Sequence, residues 1–379
     1  MFRHVTLIFS QATRPPGISY GKRLDSRFAL KDGEPVTTLT QRLSCILCAS
    51  LAFAIAGAFP AAFAQEETSL VATGSSLPEP LYVAWGDAYH KANPLVLVRY
   101  LPQGTGESGL NIVAGVGDLG GGDAPIPDKQ LKENNPILQL PSVLIGIVIV
   151  YNLPEAPGEL RLSGLVVADI FLGKIKTWND PAIAKLNPEM KLPAKPIQVI
   201  HRADGKGSNY ILADYLCKIS PEFLAKAGRG ESPKWPVGAS AGRSQDMSDR
   251  IRATPGSIGY TELNLAERAS LRMARIKNAA GEFVKPTEKS IATAALEAKI
   301  PDDFRVSLTN AAGKESYPIT SFTWLYVAAK AKDPARGHMV SEYLKWIYSD
   351  GQNIAQDQGY ATLPKELRAR VATAAATIR

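Results

Sequence analysis

Leu138-Gln-Leu-Pro-Ser-Val-Leu-Ile-Gly-Ile-Val-Ile-Val-Tyr151 is the stretch on which the fold turns. It is long, apolar and rich in β-branched residues, so it predicts strand buried on both faces, as in an α/β sheet covered by helices. Pro141 is expected to divide the run, and Val143 to Val148 reads as a crossing from one domain to the next. Tyr317-Pro-Ile-Thr-Ser-Phe-Thr-Trp-Leu-Tyr-Val-Ala328 has the same character and reads as a second crossing. Two crossings imply one domain built from 65–145 plus 320–379, a second inserted between them at 146–319, and a cleft over a hinge.

Strand and helix signals alternate on both sides of these runs. Leu70 to Ala72 and Leu95 to Tyr100 read as strands, and Leu81 to Lys91 as a helix whose Tyr82, Trp85 and Tyr89 recur at core spacing. Asp128 to Asn134 is expected to form a short helix, Ser244 to Ala253 another, and Gly256 to Tyr260 a strand. Leu271 to Ile276 and Glu282 to Val284 are expected to pair as a hairpin. Val340, Tyr343, Leu344 and Ile347 fall at i, i+3, i+4 and i+7, one buried helix face.

Ile200-His-Arg-Ala-Asp-Gly-Lys-Gly-Ser-Asn-Tyr210 leaves one strand signal and enters a helix signal. Such a junction aims free N–H groups and a helix dipole at one point, with Arg202 supplying a planar fork and Ser208 a hydroxyl. This is equipment for an oxyanion, although a Gly-rich loop between a strand and a helix is often only a turn. A P-loop fails on spacing, because Lys206 is followed by Gly207 and His201 stands where the earlier glycine belongs. Gly104, Gly106 and Gly109 make a formal dinucleotide fingerprint, with Asp123 at a plausible distance; the same geometry serves a bare oxyanion or a simple turn. Asp123, in Gly120-Gly-Gly-Asp-Ala124, ordinarily reads as an exposed turn residue. No nucleophile stands beside a base, and His90, His201 and His338 lack ligand spacing, so neither catalysis, cofactor nor metal is expected.

Arg42, the apolar run Leu43 to Phe59 and Ala62-Phe-Ala64 predict an export signal cut before Gln65. Seven of the 43 basic and three of the 36 acidic residues lie in that leader, so the formal charge of +7 falls to about +3 without it. A nucleic-acid partner thereby loses its main support. Cys45 and Cys48 also leave with the leader, and Cys217 reads as a small core residue on a helix.

Thr73-Gly-Ser-Ser-Leu-Pro-Glu-Pro-Leu-Tyr82, Gly122-Asp-Ala-Pro125, Asp169-Ile-Phe-Leu-Gly-Lys-Ile-Lys-Thr-Trp-Asn-Asp180, Arg202-Ala-Asp-Gly205, Pro255-Gly-Ser-Ile-Gly-Tyr260 and Pro318-Ile-Thr-Ser321 occur in this order. Together they resemble the phosphate-binding protein of the phosphate ABC transporter, over about Leu70 to Leu363. The resemblance implies an α/β, two-domain periplasmic binding protein fold that closes on phosphate and delivers it to an inner-membrane ABC permease and its ATPase, as a monomer. It places ligand contacts at Ser76, Leu77, Thr105, Asp123, Arg202, Gly207 and Ser208, with Asp204 bracing Arg202 from behind. Lys206 departs from the family pattern, which has a serine there, and is expected either to reach the ligand, to turn to water, or, as the favoured outcome, to pair with Glu107 on the facing loop. A retuned oxyanion receptor or phosphate sensor, and an exported phosphatase, are the competing readings.

Overall fold

The computed structural model describes residues 67–133 and 136–379; the leader expected at 1–64 lies outside them. In chain order the elements are β1 (Thr68–Gly74), α1 (Glu79–Ala92), β2 (Val96–Pro102), α2 (Thr105–Ala114), β3 (Leu119–Gly122) and β4 (Ile137–Tyr151). Then follow β5 (Arg161–Leu162), α3 (Gly164–Phe171), α4 (Pro181–Ala184), β6 (Gln198–Arg202), α5 (Gly207–Ile219), α6 (Pro221–Lys226), β7 (Ala239–Ala241), α7 (Ser244–Ala253), β8 (Ser257–Glu262) and α8 (Leu263–Arg268). The chain ends with β9 (Arg272–Met273), β10 (Arg275–Lys277), β11 (Phe283–Val284), α9 (Glu288–Leu296), β12 (Thr320–Ala328), α10 (Pro334–Ile347), α11 (Gly351–Asp357) and α12 (Lys365–Ala375).

The main sheet runs β2-β1-β3-β12-β4-β8-β6-β7, with β9 added to β4. β4 and β12 lie antiparallel at its centre, and these are the two apolar runs of the sequence. From Ile137 to Gly146 β4 pairs with β12, and from Ile147 to Tyr151 it pairs with β8, so one strand carries the sheet from its first half into its second. Every residue of β4 is buried except Leu138, which is half-buried, and this explains the unbroken apolar pattern.

Pro141 does not divide the run. β4 continues through it, and the register against β12 shifts between Thr323 and Trp324, which face Val143 and Pro141. Ser142 is the extra residue of this bulge, and a bulge is where a strand tolerates a residue without an N–H donor. Two other expectations also change. Asp128 to Asn134 yields only a 3₁₀ turn at Asp128–Gln130, since this polar segment has no apolar face to bury; 134–135 are not described. The hairpin forms between β10 and β11, but Arg272–Met273 leave it to pair with β4.

Helix packing follows the periodicity. Tyr82, Trp85 and Tyr89 are buried, Tyr82 stacks on Trp85 with centroids 5.2 Å apart, and Tyr89 meets Tyr343 of α10 at 4.9 Å. Val340, Tyr343, Leu344 and Ile347 are all in the core, as is Cys217. No described helix is long and apolar enough to cross a membrane.

Candidate functional site

Arg202, at the end of β6, is met by the loop after β1, the segment after β7 and the start of α5, while the loops after β2 and β3 meet at Asp123. Gly104, which precedes α2, has φ 140°, a backbone conformation that side-chain-bearing residues rarely adopt; the sharp entry it permits aims the start of α2 inward. The N–H groups at the starts of α2 and α5 have no intrahelical acceptors, so both helix ends bring positive potential to the same place.

Arg202 is 1% exposed. Its Nη1 donates to Ser244 Oγ (2.8 Å) and Ser208 Oγ (3.4 Å), and its Nη2 to the Gly242 carbonyl (3.0 Å) and Ser76 Oγ (3.4 Å). Its own N–H donates to Tyr260 Oη at 2.9 Å, while Nε is buried without a partner. Burial pulls the guanidinium pKa down, opposed first by the Glu262 carboxyl and also by Asp123. Three of the predicted residues, Arg202, Ser208 and Ser76, are therefore in one hydrogen-bonded group.

Asp123 is fully buried, not an exposed turn residue. Thr105 fixes it from two sides: the Asp123 N–H donates to Thr105 Oγ1 (3.1 Å), which in turn donates to Oδ2 (3.3 Å). Its Oδ1 has no partner. Burial pushes the carboxyl up to about 6, against hydrogen bonds from Ser75, Thr323 and Thr105. Gly207 lies directly against this carboxylate, and any side chain there would overlap it. Leu77 is buried, and its N–H donates to Ser75 Oγ at 3.1 Å.

Two predicted supporting roles are not found. Asp204 is exposed in the turn ahead of Gly205 and makes no hydrogen bond to Arg202; the buried carboxylate beside the guanidinium is Glu262, held by Thr261 Oγ1 at 2.8 Å. Lys206 forms no ion pair with Glu107 among the described residues. Its Nζ instead donates to the Gln103 carbonyl at 3.2 Å, across the gap between the two Gly-rich loops, and Glu107 is exposed. A backbone oxygen held in place costs less side-chain entropy to meet than a mobile surface carboxylate. Burial and Arg202 lower the Lys206 pKa, with Glu107 acting in the opposite sense at longer range.

The sequence reading missed Ser244, Glu262, Tyr260, Asn209 and Ser75. Tyr260 Oη donates to Asn209 Oδ1, and Asn209 Nδ2 donates to the Ala203 carbonyl at 2.7 Å, so this pair shapes the Arg202 loop. Tyr260 and Asn209 lie inside motifs that had been read for their neighbours, and Ser244 had shown itself only as a helix start. Among the described residues no three His, Cys, Asp or Glu side chains gather for a metal.

A family profile described as a PBP superfamily domain matches residues 60–351. The phosphate-binding protein PstS of Haemophilus influenzae is 37% identical over 308 residues, covering 80% of this chain and 91% of that protein. The chain belongs to the PstS phosphate-binding protein family. Solved structures agree on the fold: the ancestral soluble variant of the human phosphate binding protein superposes with a TM-score of 0.65 at 18% identity, over 81% of this chain and 93% of that one. A phosphate binding protein of Stenotrophomonas maltophilia gives 0.61 at 19% identity, over 81% and 93%. The fold is thus the two-domain α/β periplasmic binding protein fold, and in this PstS family member Arg202 stands at the end of β6.

Proposed function

We propose that the chain binds one inorganic phosphate in the cleft between lobes 65–145 plus 320–379 and 146–319, and delivers it to an inner-membrane ABC permease and its ATPase. On this reading the protein works in the periplasm as a monomer after its leader is removed, and catalyses nothing. The observation that carries it is a buried donor and a buried acceptor left open in one site, Arg202 Nε and Asp123 Oδ1. A phosphate that still holds a proton offers oxygens to the guanidinium, serine hydroxyls and helix starts, and an O–H to Asp123. Fully ionised sulfate has no proton to give, so the carboxylate repels it. A phosphatase reading gains no support, because Ser208 meets the guanidinium and the carboxyl that Ser244 reaches, Glu262, is itself set against that guanidinium. Titration calorimetry with phosphate and then sulfate tests the assignment; equal binding of the two would remove Asp123 from its role.

Ligand contacts on this reading are Ser76, Thr105, Asp123, Arg202, Gly207 and Ser208, with Leu77 contributing backbone only after its bond to Ser75 rearranges. Gly207→Ala should lower phosphate affinity by roughly a hundredfold or more, because its methyl group displaces the Asp123 carboxylate, while far-ultraviolet circular dichroism stays at the parent value. Lys206→Ser should cost less than about tenfold, the loss of one bridge to a carbonyl. Glu107→Gln should change affinity by less than about twofold, since Glu107 makes no ion pair; a loss as large as that of Lys206→Ser would restore the latch expected from the sequence.

A further inference from the structure

Glu231 follows α6 in a loop that is fastened to the Arg202 turn. Its carbonyl accepts from the Gly205 N–H (3.0 Å), the Lys206 N–H (3.3 Å) and Asn209 Nδ2 (3.0 Å). Through Asn209 and Tyr260 this backbone is tied to Arg202 itself. The side chain runs the other way, to the start of α2, where a methyl group on Gly106 would overlap Glu231 Oε2. One residue thus joins the arginine loop on one side of the cleft to the helix whose Thr105 orients Asp123 on the other.

The carboxyl group borders a cavity of about 460 Å³ whose lining includes Thr105, Gly106, Tyr210, Arg229 and Tyr326. Charged and titratable groups facing it are Asp123 after β3, Lys129 of the 3₁₀ turn, Tyr210 of α5, Tyr326 of β12 and Arg229 of its own loop. Neither cation pairs with it: Lys129 is exposed, and Arg229 Nε sits 3.3 Å from Asp214. Burial, and then the Asp123 charge, push Glu231 up to about 7. Glu231 is half-buried, and separating the two loops would expose it further.

Resting on the phosphate-binding reading, we propose that Glu231 is a positioning residue that seats the start of α2 against the arginine loop and takes up a proton when the cleft closes on phosphate. The sign follows from the closed geometry. An acid held above its ordinary value of 4.5, at about 7, opposes closure only when ionised. That opposition is absent below the open-state value and complete above the closed-state one, so the contribution of Glu231 to affinity falls as pH rises through this window.

Calorimetric phosphate titrations of the protein and of Glu231→Gln, at pH 6 in two buffers of different ionisation enthalpy, test it. The parent should take up close to one proton more per phosphate than the variant, and the variant should bind phosphate roughly tenfold or more tighter at pH 8, with a much smaller gain at pH 5. An unchanged proton count, or weaker binding by the variant at both pH values, would overturn the proposal. Gly106→Ala should lose affinity at least about tenfold, and Gly106→Ala with Glu231→Ala should recover it; failure to recover removes the contact. Parental phosphate binding with an unaltered count overturns this inference alone, whereas a parent that does not bind phosphate overturns both readings.

Discussion

Arg202→Ala is expected to abolish phosphate binding, with a loss of about a thousandfold or more in titration calorimetry. A buried guanidinium that meets an anion through hydrogen bonds is worth several kcal/mol to the complex, and the carboxyls beside it, Asp123 and Glu262, have the sign of the ligand. Arg202→Lys should be little better, because an ammonium cannot hold the Ser244, Ser208, Ser76 and Gly242 oxygens together in one plane. The variant will not be neutral to the fold. Removing the guanidinium leaves Glu262 buried without its cation, and burial already holds that carboxyl above its usual range, so a fall in melting temperature is expected that grows as pH rises. Retained affinity in either variant would show that the ligand sits elsewhere.

Asp123→Asn should collapse the preference for phosphate over sulfate. A site that requires a proton from its ligand discriminates by roughly 10⁴ or more, and a neutral amide with both a donor and an acceptor imposes no such requirement. The parent should show the same change on acidification. Below about 6 the Asp123 carboxyl takes its own proton and no longer needs one from the ligand, so the phosphate to sulfate affinity ratio should fall as pH drops through that value, and the variant should show no such step. Stability moves the other way. The folded carboxyl is held above its usual 3.8, so its charge costs the ligand-free fold nothing below 3.8 and most above 6. Asp123→Asn should therefore be more stable than the parent at pH 7.5, by an amount on the order of 1–3 kcal/mol, and equal to it near pH 3.5, as read from denaturant unfolding. A variant that keeps its preference for phosphate would assign specificity to other groups.

The fold was legible because its central strands are apolar on both faces. β4 and β12 cannot be mistaken for surface, and the two apolar runs of the sequence are the strands found side by side at the centre of the sheet. Pro141 misled because the bulge that accommodates it is set by the partner strand. In the site, Arg202, Thr105, Asp123 and Ser208 stood out because each belongs to a loop with its own local signal. The groups that support them did not. Glu262 reaches the guanidinium from the end of β8, and Ser244 from the start of a helix 42 residues further along the chain. No spacing rule relates them to Arg202, and Asp204, which lies close in sequence, turns to solvent because Gly205 at φ 72° carries the chain away. Proximity along the chain favoured the wrong carboxylate.

The antiparallel pairing of β12 with both β3 and β4 sets a timetable for the nascent chain. Thr323 Oγ1 donates to the Gly122 carbonyl 201 residues earlier, and Tyr326 Oη reaches the Ala124 carbonyl across a similar separation. The ladders of β3 and of the first part of β4 stay open until β12 has been synthesised, and contacts between such distant residues form slowly. A ribosome-bound segment ending before residue 320 would hold the facing edges of β3 and β4 unmatched. If the chain is exported as proposed above, such lateness would keep the polypeptide pliable while a secretion channel takes it up as an extended thread, and the topology that builds the cleft would also delay premature folding.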